Sequence, residues 1–158
     1  MQDEKPRLGR EVYLALAAVG WADGQLDQEE ADAIVRTAAE EDLPFEEIDE
    51  IEQATKHRID LGAIEVKNLS KEDRLFVYAV AAWMTRLDGK ETEGELETLF
   101  RLGDVLKIPP ILRDYANQVA HQVEALPTGD RPLRYDLLAL RRIIGTRLAL
   151  AHERLSTK

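Results

Sequence analysis

Asp23-Gly24-Gln25-Leu26-Asp27-Gln28-Glu29-Glu30 returns, shifted by 65 residues and without a gap, as Asp88-Gly89-Lys90-Glu91-Thr92-Glu93-Gly94-Glu95. Outward from these stretches, Val12, Tyr13, Ala17, Asp23, Gly24, Glu30, Arg36 and Pro44 recur as Val77, Tyr78, Ala82, Asp88, Gly89, Glu95, Arg101 and Pro109. A fixed offset of this kind is the signature of an internal duplication. The run before each Asp-Gly pair, Val12 to Ala22 and Leu75 to Leu87, stays apolar too long for a strand alternation and reads as a buried helix. Gly24 and Gly89 follow the last periodic residue, where a left-handed conformation suits glycine, so each helix is expected to stop there.

Three residues beyond each glycine, Asp27 and Thr92 stand as N-caps three positions before Glu30 and Glu95, the spacing of a capping box. The helices they open carry Ala31, Ile34, Val35 and Ala38 in one copy and Leu96, Leu99, Phe100 and Leu102 in the other, and end before Pro44 and Pro109. Pro44 and the Pro109-Pro110 pair then start further helices, with apolar stripes Phe45, Ile48, Ile51, Ala54 and Leu112, Tyr115, Val119, Val123, Leu126. The fold expected is an all-α bundle of about six to eight helices in one domain. Its parts are a first repeat over about 10–56, a connection over 57–69 with a short helix from Leu61 to Val66, a second repeat over about 70–126 with Ser70 as its cap, and a C-terminal helix over about 131–156. Trp21, Trp83 and Met84 read as core filling.

Two readings of the acidic corners stand side by side. Capping alone accounts for Asp27, Thr92 and the glutamates, at about 0.5–2 kcal/mol per cap. It accounts less well for Asp23 and Asp88, whose carboxylates fall at the negative end of a helix dipole and call for a compensating cation, a basic side chain or the next helix N-terminus. Asp23, Asp27 and Glu30 offer hard oxygens of the kind that calcium or magnesium takes, though not at EF-hand spacing.

The helix ending in Ala22-Asp23-Gly24, the Asp27-Gln28-Glu29-Glu30 opening and the second copy Leu87-Asp88-Gly89-Lys90-Glu91-Thr92-Glu93-Gly94-Glu95 together resemble the TerB-like, tellurite-resistance-associated helical family, over roughly residues 8–126. The resemblance implies an all-helical domain with an internal duplication, an acidic surface that binds a divalent metal, and a role in bacterial tellurite, metal or envelope stress. On this chain it implicates Asp23, Asp27 and Glu30, then Asp88 and Glu95. Thr92 in place of a second Asp27 weakens the second site, where Glu91 and Glu93 are the available substitutes.

Composition narrows the classes. A net charge of -10 argues against a nucleic-acid partner, whose binding relies on Lys and Arg displacing counterions. The chain has no cysteine, which removes disulfides, zinc thiolates and thiol catalysis. No signal-peptide stretch or spanning apolar run is evident, and a soluble, cytoplasmic protein is expected. His57, His121 and His152 lie apart with no zinc spacing, and no nucleophile elbow or phosphate loop is present, so the chain reads as non-enzymatic.

Charge is unevenly spread. From Thr128 onward seven Lys/Arg face three acids, a balance of +4 that leaves -14 for residues 1–127. The C-terminal helix combines Leu137, Leu140, Ile144, Leu148, Ala151 and Leu155 with Arg134, Arg141, Arg142 and Arg147. It either wraps the bundle, setting its arginines against the acidic helices, or serves dimerisation or a protein partner, with an anionic membrane surface as the less favoured contact. A structural adaptor whose acidic turns are only caps, and whose basic helix docks a partner, is the alternative to the metal-binding module.

Overall fold

A computed structural model describes residues 9–22, 26, 28–87, 93–126, 139 and 141–147. Within them the chain is all-helical, with no strand. The elements are α1 (Arg10–Ala22), α2 (Gln28–Glu40), α3 (Phe45–Lys56), short 3-10 turns at Leu61–Ala63 and Val66–Asn68, α4 (Lys71–Leu87), α5 (Glu93–Val105), α6 (Pro110–Glu124), and a helical stretch at residues 141–147.

Hydrophobicity on every face decides which helices are central. Along α1, Val12, Tyr13 and Ala15 through Gly20 are all buried, and along α4 so is every residue from Phe76 to Trp83. A helix apolar all round has to be surrounded. The two pack on each other, α2 and α3 cover α1, and α5 and α6 cover α4. Leu61, 2 % exposed, sits between α1 and α5, so the connection is ordered and belongs to the core. It forms two 3-10 turns where the spacing predicts one short helix from Leu61 to Val66.

Termini follow local chemistry. Pro44 and Pro109 adopt nearly the same extended conformation, ψ 146° and 148°, and their carbonyls accept the N–H groups of Glu47 and Ile48, and of Leu112 and Arg113. The left-handed residues that close α2 and α5 are Asp42 (φ 63°) and Lys107 (φ 56°), neither of them a glycine. Ser70 Oγ accepts the Asp73 N–H at 3.0 Å, the expected cap of α4. Trp21 donates its indole N–H to the Ala54 carbonyl at 2.8 Å, tying the end of α1 to that of α3. Tyr13 donates its hydroxyl to Glu41 Oε2, whose other oxygen accepts the Gly9 N–H at 2.9 Å. Burial, then the Glu41 carboxylate, push the Tyr13 phenol well above its ordinary range.

Three residues read as members of buried stripes are exposed. Phe45 is 82 % exposed, Phe100 64 % and Leu96 50 %. Periodicity puts them beside the apolar face of their helices, but the packing of the described helices leaves them largely uncovered.

Candidate functional site

At the first acidic corner, Asp23 and Asp27 lie outside the described residues, and Glu30 sits in the first turn of α2. The corner is tight. A Cβ on Gly20 would lie 2.2 Å from Leu26 Cδ1 and 3.3 Å from Glu30 Oε1. The Glu30 carboxylate therefore folds back onto the C-terminal turn of α1, and Leu26 seats where only glycine leaves room. At the second corner Asp88 and Thr92 lie outside the described residues, and Glu95 stands in the first turn of α5 with its side chain likewise outside them. Among the described residues, no three His, Asp or Glu side chains gather as a metal site would require.

The acidic face of α3 is a real surface. Glu46, Asp49 and Glu50 are exposed, and Glu50 accepts a hydrogen bond from Arg10 Nε at 3.2 Å while Arg10 also pairs with Glu11. The hydrogen bond to Glu50 holds the Arg10 guanidinium above its ordinary value, and Arg10 in turn holds the Glu50 carboxyl below the usual range.

A groove of about 300 Å³ between α2 and α3 is lined by Asp32 and Glu52 and by Arg36 and Lys56, so its charges balance. Another, of about 180 Å³, runs over Leu14, Ile59 and Ile64 with Glu11 and Glu65 at its edge. Neither contains a histidine or a nucleophile paired with a base. His57 and His121 are exposed on different elements. No helix among the described residues is long and apolar enough to cross a membrane.

The C-terminal arginines fare differently from one another. Arg134 lies outside the described residues, and Arg142 is exposed. Arg141 pairs with Asp73 Oδ1 at 3.2 Å and lies over the Phe76 ring, 5.2 Å from its centroid. Arg147 donates to Gln122 Oε1 at 2.9 Å, and Ile144 between them is fully buried in the core. Residues 141–147 thus pack across α4 and α6 of their own domain, through pairings 68 and 25 residues distant in sequence, for which no local spacing is a guide.

Burial raises the Asp73 carboxyl above its usual range, with Arg141 and then Ser70 pulling it back and Glu72 and Glu41 adding to the rise. Arg141→Ala is therefore expected to cost about 1–3 kcal/mol at neutral pH, because it leaves a half-buried carboxylate without its partner. The folded state of the variant holds the Asp73 proton more tightly than the unfolded chain does. Its deficit against the wild type should accordingly shrink as pH falls through the raised Asp73 value toward the ordinary carboxylate range, in urea titrations at a series of pH values. A deficit that widens on acidification would contradict this account.

No family model, curated protein or solved structure matches this chain.

Proposed function

We propose that the chain is a non-enzymatic, TerB-like helical module built from two copies of a three-helix unit, offering an acidic corner to calcium or magnesium and another face to a protein partner in a bacterial, cytoplasmic stress response. The observation that carries this reading is the 65-residue recurrence of helix boundaries. α1 ends at Ala22 and α4 at Leu87, α2 spans Gln28–Glu40 and α5 Glu93–Val105, and α3 and α6 begin at Phe45 and Pro110. The left-handed Asp42 and Lys107 keep the same offset. Backbone punctuation repeated at this interval is what two copies of one unit would produce, and it supports the resemblance that implicates the corners.

In this reading Asp23, Asp27 and Glu30 hold the cation, with Asp88 and Glu95 at the weaker second corner. The adaptor alternative, in which the basic C-terminal helix docks a partner, has less support because Arg141, Arg147 and Ile144 are engaged within the domain. Calcium titration followed by amide NMR is the test. Saturable shifts confined to Asp23, Asp27, Glu30, Asp88, Glu95 and their neighbours are expected, reversed by chelator. Absent or diffuse shifts would leave capping as the whole role of these residues.

A further inference from the structure

The outer layers over α1 and α4 differ in a way the sequence offset makes visible. α3 lies against both α1 and α2, and Ala31 on α2 is 7 % exposed. α6 instead lies along α4, with Asn117 Nδ2 donating to Tyr78 Oη at 3.4 Å, and α5 packs on α4 and the Leu61 turn. Leu96 and Phe100, at the offsets of Ala31 and Val35, are consequently 50 % and 64 % exposed. Being four residues apart, they form one ridge along α5. The ridge is held in place. Arg113 lies 5.7 Å from the Phe100 ring centroid, crosses Gly103, and is anchored on the Ile108 carbonyl at 2.7 Å and Asp104 at 3.0 Å. Glu97 and Arg101, also four apart and both exposed, follow one flank of it.

We propose that this ridge is the contact between two copies of the chain, with α5 of one packed antiparallel on α5 of the other. A two-fold contact joins one patch to itself, so the patch must be complementary to its own copy. An apolar ridge flanked on one side by one acid and one base meets that condition. With the axis near residue 99, Glu97 of each copy is level with Arg101 of the other, and the two Phe100 rings meet beside the axis with Leu96 of each copy next to the Phe100 of the other. A single helix pair is a small contact, so the dimer is concentration-dependent. Two chains of net charge -10 repel at long range, and added salt should strengthen the association by screening that repulsion. The proposal is independent of cation binding, and its failure would leave the metal-binding reading untouched.

Sedimentation equilibrium of the full chain over a range of concentrations and salt is the experiment. Phe100→Glu should weaken the dimer about thirtyfold or more, as for a central aromatic anchor, with an unchanged helical circular dichroism signal because Phe100 is exposed. Glu97→Arg and Arg101→Glu should each weaken it severalfold, and the two together should restore it. A wild-type chain that sediments as a monomer at every concentration overturns the proposal. So does a dimer indifferent to Phe100→Glu, and a double exchange that fails to restore association overturns the antiparallel register.

Discussion

Replacing Ile144 with aspartate is expected to destabilise the whole domain rather than release one segment. Ile144 is fully buried and belongs to the same cluster of side chains as Tyr13 on α1, Phe76 on α4 and Val123 on α6. A carboxylate there has to be buried uncharged or unpaired, or push residues 141–147 off the core and expose what they cover. Either route costs more than about 4 kcal/mol, a large share of the roughly 5–15 kcal/mol that holds a domain of this kind folded. Arg141 on Asp73 and Arg147 on Gln122 flank the site, so the stretch is fastened on both sides of the defect. Urea unfolding should be followed by circular dichroism and by the fluorescence of Trp21 and Trp83 in single-tryptophan versions, one probe on α1 and one on α4. Both tryptophans should report the same lowered midpoint. An unchanged midpoint, with faster amide exchange limited to residues 141–147, would make this stretch a peripheral strap.

The parts of the fold legible in the sequence are those set by residues a few positions apart. Val12 to Gly20 and Phe76 to Trp83 announce central helices because no face of either is polar enough for water. Pro44, Pro109 and Ser70 announce helix starts through restrictions that act within one turn. The exposure of Leu96 and Phe100 was not legible in this way, since it depends on α6 lying along α4 instead of over α5, a choice made by packing between distant segments. Asp42 and Lys107 carry no such local signal, because a left-handed helix end is expected of glycine, whereas here the chain turns toward a following proline through residues with side chains. Of the candidate cation ligands, Glu30 alone has a described side chain, which lies with Leu26 against the Gly20 position of α1. Arg141 shows the limit of local reading most sharply. Its sequence neighbours say that it lies on a basic helix, and only the fold brings it to Asp73 and Phe76.

Trp83 gives the second large expected effect and a way to separate volume from hydrogen bonding. It is among the largest fully buried side chains, 1 % exposed, and its indole N–H has no hydrogen-bond partner among the described residues. Ala18 occupies the position 65 residues earlier, also buried, so one central helix presents a small side chain where the other presents the largest available. Trp83→Ala should cost about 3–5 kcal/mol through the cavity it leaves. Trp83→Phe should cost far less, because it keeps an aromatic ring and removes a buried donor that gains nothing in the folded state. Trp21→Phe supplies the contrast, since it discards a 2.8 Å bond to the Ala54 carbonyl for a smaller loss of buried volume. Trp21→Phe should therefore lose about 1 kcal/mol for the missing bond, whereas Trp83→Phe loses only packing. If Trp83→Phe proves as damaging as Trp83→Ala in urea titrations, the indole N–H has an acceptor in solution, and ordered water within the α4 core becomes the account to pursue.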